Sequence, residues 1–119
     1  MGAQSTVLKW DTLRSLSSAS VSGTYANVGT AFGFPPRLLK IVNDSTQAVT
    51  VSLDGANDND YVPAGGFVLY DCGTNRGNPS PELNAAQGTQ VRVKGTAGSG
   101  TIYVVVLYAF TPTNTIPSV

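Results

Sequence analysis

Oxygen-bearing side chains crowd one short stretch of this 119-residue chain: Asp54-Gly-Ala-Asn57-Asp58-Asn59-Asp60. Carboxylate and amide oxygens in a loop are what a calcium ion takes as ligands, so Asp54, Asp58 and Asp60 are the metal candidates. The spacing is not that of an EF-hand, and no glutamate follows to close the loop in bidentate fashion. Asp and Asn are also the residues that build turns, and a solvated loop accounts for the cluster without any metal. A second acidic pair, Asp71 and Glu82, flanks a Gly- and Pro-rich segment. Glu82 is the only glutamate, so a two-carboxylate glycosidase pair has no further member to draw on.

Other chemistries lack their parts. Histidine is absent and Cys72 is the sole cysteine, which removes intrachain disulfides, Cys/His zinc sites and an imidazole base for a nucleophilic thiol. No glycine-rich phosphate loop opens a helix, because no segment has a helical period. Tyr25, Phe32, Phe34, Tyr61 and Tyr70 are the rings with which a sugar-binding module would stack, although a β-protein of this size also needs such rings in its core. Neither a catalytic set nor a cofactor site emerges, and the chain is expected not to be an enzyme.

The elements that would hold these residues are strands. Charged residues make up 12% of the chain, about half the usual share, and Gly, Ser, Thr and Asn supply the remaining polarity. These residues are costly in helices and suit strands and turns. Residues 37–43 and 48–53 alternate around a polar Asn43-Asp44-Ser45-Thr46 turn, which predicts an antiparallel hairpin with Leu39, Ile41, Val49, Val51 and Leu53 inward. Further strands are expected at residues 15–21, 24–28, 67–71, 89–94 and 101–109. A loop at 29–36 carries Phe32 and Phe34 over one end of the core. Another loop spans 72–83, with at most one helical turn at 83–86, and a glycine-rich hairpin connection covers 95–100. The fold class is all-β: a single-domain antiparallel β-sandwich, jelly-roll-like, with an N-terminal arm at 1–13, the sandwich at 14–110 and an extended C-terminal tail at 111–119.

One strand breaks the rule of a single wet face. In residues 101–109, Ile102, Val104, Val106 and Tyr108 occupy one side, and Tyr103, Val105 and Leu107 the other. Such a strand is either covered twice within the fold or meets another subunit. Leu38 and Val42 repeat the theme more weakly. Trp10 either plugs the sandwich or anchors an arm on a neighbour. The interface candidates are therefore Trp10, Leu13, Tyr103, Val105, Leu107, Phe110 and Ile116. Net charge is zero with no basic stripe, which argues against nucleic acid as a partner and suits a subunit held in an assembly. The longest apolar run, residues 102–110, is too short to span a membrane. The first residues lack the charged and apolar regions of a signal peptide, so synthesis in a cytoplasm is expected.

The stretch from Tyr25 to Tyr108 also resembles small virion structural proteins of tailed bacteriophages. The likeness lies in Pro36-Arg37, Lys40-Ile41-Val42-Asn43-Asp44-Ser45, Val51-Ser52-Leu53-Asp54-Gly55, Tyr61-Val62-Pro63-Ala64 and Leu69-Tyr70-Asp71. It continues through Val91-Arg92-Val93-Lys94-Gly95 and Gly100-Thr101-Ile102-Tyr103-Val104. It covers about two thirds of the chain as a strand-and-turn pattern without a chemical motif. The resemblance implies a homo-oligomeric capsid cement or decoration protein in a virion assembled in the host cytoplasm, with the major capsid protein as partner. The alternatives are a neck or tail ring component bound to neck or tail proteins, and a carbohydrate-binding adhesin module.

Overall fold

The computed structural model describes residues 7–72 and 87–110. Nine strands follow in chain order: β1 (Val7–Trp10), β2 (Arg14–Ser17), β3 (Ala26–Asn27), β4 (Leu38–Ser45), β5 (Val49–Ser52), β6 (Asp60–Val62), β7 (Phe67–Asp71), β8 (Arg92–Gly95) and β9 (Gly100–Phe110). The protein is all-β, and two antiparallel sheets face each other as a sandwich. The first sheet runs β1-β9-β4-β7, with β2 also paired to β9; the second runs β3-β8-β5-β6. A 3-10 turn spans Ser18–Ser20, and among the described residues no helix is long and apolar enough to cross a membrane.

The pairs are nested. β5 pairs with β6, β4 with β7, β3 with β8 and β2 with β9, as in a long antiparallel ribbon bent at its middle. Rolling that ribbon adds the pairs β4–β9 and β5–β8, which complete the two sheets. Every strand from β2 onward is therefore followed by one in the opposite sheet, except at the β5–β6 hairpin. The core lies between the sheets and is dominated by branched side chains that pack well on a pleated surface. Leu39, Ile41, Ile102, Val104 and Val106 of the first sheet meet Val49, Val51, Val62 and Val93 of the second, all essentially without solvent contact.

This topology corrects the expected hairpin at residues 37–53. The alternation within each strand is as expected, but β4 and β5 lie in different sheets. β4 finds its partners in β9 and β7, and β5 finds its own in β6 and β8. The connection at 95–100 likewise crosses between the sheets and is not a hairpin. The strand expected at 15–21 is shorter, ending in the 3-10 turn, and the one at 24–28 contracts to β3.

Asn43 shows why the corner after β4 crosses over. It is a fully buried strand residue, with β4 continuing to Ser45, and not part of the turn. Its Nδ2 donates to the carbonyls of Gln47 (2.8 Å), Val62 (3.1 Å) and Pro63 (3.2 Å), while its Oδ1 accepts from the Ser45 hydroxyl. One amide thus joins the end of β4 to the end of β6 in the opposite sheet. Gly100, opposite Ser45 with φ +100°, completes the corner: a Cβ there would sit 2.2 Å from the Asp44 carbonyl oxygen.

Of the expected N-terminal arm, residues 7–10 form β1 and are part of the first sheet. β1 and β2 share the same edge of β9, but Trp10 faces Leu107 and Arg14 faces Val104. Residues 11–13 span two residues of β9, so one extra residue is accommodated as a bulge. That extra residue shifts the register by one and turns Arg14 inward. Arg14 is 4% exposed, and its guanidinium donates to the carbonyls of Thr12 (2.8 Å), Thr30 (2.5 Å) and Ala31 (2.8 Å) and pairs with Asp11 at 3.3 Å. It also lies 5.4 Å from the centre of the Phe32 ring. Asp11 in turn accepts from the Gly33 amide at 3.2 Å, so the pair clamps the bulge to the 30–33 loop. Phe32 is buried and Phe34 stacks on Tyr108 with ring centres 3.9 Å apart, closing one end of the sandwich.

Replacing Asn43 by alanine deprives three carbonyls of one donor group and leaves the Ser45 hydroxyl without its amide acceptor. Asn43→Ala is expected to lose about 2–3 kcal/mol of stability, against under about 1 kcal/mol for Ser45→Ala, as read by urea denaturation. Equal small losses for both would show that the amide does not join the sheets.

Candidate functional site

The outer side of the first sheet carries a surface that the core does not use. Residues directly opposite one another in an antiparallel pair share a face. The register therefore sets Leu107, Leu38 and Asp71 in one row across β9, β4 and β7, then Val105, Lys40 and Leu69, then Tyr103, Val42 and Phe67. Trp10 extends the first row on β1, and Leu8 lies beyond it opposite Ala109. On this face the apolar residues with most surface are Trp10 (71% exposed), Phe67 (63%), Leu69 (58%) and Leu8 (48%). These four alone present on the order of 500 Å² of mostly apolar surface, near the upper end of what a free monomer shows.

The face is sculpted. Trp10, Leu38, Lys40, Leu69, Val105 and Leu107 line a hollow of about 160 Å³. Leu8, Arg37, Leu38 and Asp71 line a neighbouring one of about 330 Å³. Leu38 borders both. β9 is thus central within its sheet yet covered on one face only, and Tyr103, Val105 and Leu107 are half-buried on the other.

The outer face of the second sheet is different. Asn27, Thr50, Arg92 and Lys94 occupy it, with Tyr61 opposite Thr50. Lys94 reaches Asp58 at 3.1 Å and lies 4.8 Å from the centre of the Tyr25 ring, while Arg92 donates to Asn27 at 3.1 Å. One broad side of the sandwich is apolar, and the other is polar and internally bonded.

The acidic loop is held by its own hydrogen bonds. Asp54 accepts from the amides of Ala56 and Asn57 (both 2.8 Å), the Asn57 side chain (2.8 Å) and the Ser52 hydroxyl (2.9 Å). The two backbone amides, then the side-chain donors, hold its carboxyl far below the usual carboxylate range. Asp58 accepts from the Tyr25 hydroxyl, and that bond, with the Lys94 ammonium, keeps its carboxyl low as well. Lost hydration and the Asp58 carboxylate push the Tyr25 phenol up to about 12. Asp60 turns away to accept from Tyr70 and from the Tyr61 amide. The three candidate metal ligands thus have separate protein partners, and among the described residues no three acidic, His or Cys side chains converge.

The sugar-stacking candidates are dispersed too. Phe32 is in the core, Tyr70 packs against it, Phe34 stacks on Tyr108 and Tyr25 sits beside Asp58; Tyr61 is exposed on β6. Cys72 is half-buried, and burial, then the nearby Asp71 carboxylate, raises its thiol pKa, the opposite of what a nucleophile needs. Glu82 lies outside the described residues, so the Asp71–Glu82 pair has no geometry here.

Of the interface candidates, Trp10, Tyr103, Val105 and Leu107 gather on the apolar face, and Leu13 is exposed at the bulge. Trp10 is not a plug for the core. Phe110 aligns with Val7 through the backbone, its side chain being outside the described residues together with all of Ile116. Sequence reasoning missed Phe67 and Leu69. The signal was present, since β7 reads Phe-Val-Leu-Tyr-Asp with apolar residues on both sides, as β9 does. Comparison with protein-family models, curated proteins and solved structures gives no match to this chain.

The acidic loop yields a pH dependence. Asp54 and Asp58 have folded-state pKa values below their unfolded ones. Each therefore stabilises the fold above the ordinary carboxylate range, and loses that contribution as pH falls through the folded value. Melting temperature should decline as pH drops below about 4. Asp54→Ala is expected to melt lower at neutral pH and to show a shallower acid decline. An unchanged acid limb in that variant would assign the decline to other groups.

Proposed function

We propose that the chain is a non-enzymatic structural subunit of a tailed-phage particle, a cement or decoration protein that docks on the capsid through the outer face of its first sheet. The observation that carries the proposal is the contrast between the two broad sides of the sandwich. One side is polar and internally bonded. The other is an apolar array centred on β4 and β9 that no described part of the chain covers.

Two further points support the phage setting. The nested pairing of β2–β9, β3–β8, β4–β7 and β5–β6 is the order that jelly-roll winding gives, and jelly rolls recur in viral capsid domains and in lectins. The winding is support by analogy only, because one fold hosts many functions. The strand-and-turn resemblance to phage virion proteins favours the capsid over the lectin reading. So does the dispersal of Tyr25, Phe32, Phe34, Tyr61 and Tyr70, which do not gather into one stacking platform.

A subunit of this kind stabilises a shell by linkage. It binds the assembled state and not the dissociated one, so each bound copy shifts the equilibrium toward the particle. The partner is the major capsid protein, the location is the virion, and copies meet one another around the joints they cover.

Quantitative mass spectrometry of purified particles tests this reading. A cement protein is expected at a copy number on the order of hundreds, whereas a neck or tail ring would give roughly six or twelve. The double substitution Phe67→Ser, Leu69→Ser should leave the isolated chain folded and lower its incorporation at least about tenfold. Absence of the wild-type chain from particles would refute the virion assignment.

A further inference from the structure

Lys40 occupies the centre of the apolar array. In the register of β9, β4 and β7 its neighbours in the same row are Val105 and Leu69. The rows on either side hold Leu107, Leu38 and Asp71, and Tyr103, Val42 and Phe67. It also lines the hollow between Trp10 and Leu69. Lys40 is half-buried, and its side chain makes no hydrogen bond or ion pair with any described residue. A lysine in such surroundings buries its methylene stem along apolar surface and keeps its ammonium toward water.

From this placement we infer that the occupant of the face is an apolar protein surface bearing a carboxylate that sits over Lys40, and not the same face of a second copy. The inference rests on the reading that this face docks, and it specifies the chemistry of the partner.

The argument is one of symmetry and charge. Two copies meeting face to face would do so about a two-fold axis, which brings each residue near the axis against itself. With Lys40 at the centre, two ammonium groups would be pressed together as water is excluded. Like charges in a desolvated contact oppose association strongly. An acidic group on a different surface reverses the sign and gives the Lys40 ammonium a partner that the described residues do not supply. The hollow beside it, about 160 Å³, accepts one large apolar side chain from the same partner. Lys40 thus selects for a heterologous partner and against self-pairing, as charged residues on otherwise adhesive sheets do.

The chain itself supplies the probe. The Lys40→Glu variant presents the same apolar array with a carboxylate at its centre. In sedimentation velocity, an equimolar mixture of wild type and Lys40→Glu is expected to form a heterodimer. Its affinity should exceed self-association of either component by at least about tenfold, because opposite charges then meet at the centre. Adding Leu69→Ser to one partner should abolish the gain, which locates it on this face. Lys40→Leu, which removes the charge and keeps the apolar surface, should self-associate more tightly than the wild type.

A mixture that associates no better than its components would overturn the inference, and so would wild-type self-association that Leu69→Ser weakens. Melting of each variant alone verifies that it is folded. The outcomes separate from those of the virion assignment. Absence from particles refutes that assignment and leaves the mixing result standing, whereas a failed mixture refutes the carboxylate partner and leaves the copy number untouched.

Discussion

β4 and β9 run side by side over eight paired positions, from Leu38 opposite Leu107 to Ser45 opposite Gly100. The other strands of the first sheet attach to this ladder, β1 and β2 along the far edge of β9 and β7 along the far edge of β4. Both strands carry apolar residues on both sides. Their inner residues, Leu39, Ile41, Ile102, Val104 and Val106, bury against the second sheet and make the core. Their outer residues are aligned by the same hydrogen bonds into a continuous array. Stability and the proposed docking surface thus come from opposite sides of one ladder, and a slip of one residue would exchange the two sets.

Two buried polar groups keep that register. Asn43 connects the end of β4 to the carbonyls at the end of β6, which sets where the first sheet gives way to the second. Arg14, turned inward by the bulge at residues 11–13, ties the β1–β2 segment to the loop that carries Phe32. Gly29, with φ +69°, allows this close approach, since a Cβ there would lie 2.6 Å from the Cβ of Arg14. Both side chains are bonded to protein partners. They hold β1 beside β9, and so place Trp10 at the margin of the apolar face.

Much of the frame was legible in the sequence, because alternation is a local signal. The inward sets Leu39/Ile41, Val49/Val51 and Ile102/Val104/Val106 follow from period-two reading, as does the two-sided character of β9. Which strands pair is a long-range property, and alternation is silent about it. Residues 37–43 and 48–53 looked like a hairpin because Asn-Asp-Ser-Thr is turn chemistry, yet Asn43 spends its amide on a cross-sheet connection from within a strand. Arg14 carried no signal of burial, since that depends on a bulge three residues long. On the candidate site, Tyr103, Val105 and Leu107 were readable from β9 alone. Phe67, Leu69 and the central position of Lys40 needed the register of β7 against β4.

If the proposal is right, the outer face of the first sheet is the surface the chain buries in its assembly. Hydroxyl-radical footprinting of the free chain and of the same chain in purified particles measures this most directly. Trp10, Phe67 and Leu69 are expected to lose most of their reactivity on incorporation, while Tyr61, on the polar outer side, keeps its own. Protection of Tyr61 with Trp10, Phe67 and Leu69 still reactive would contradict the account.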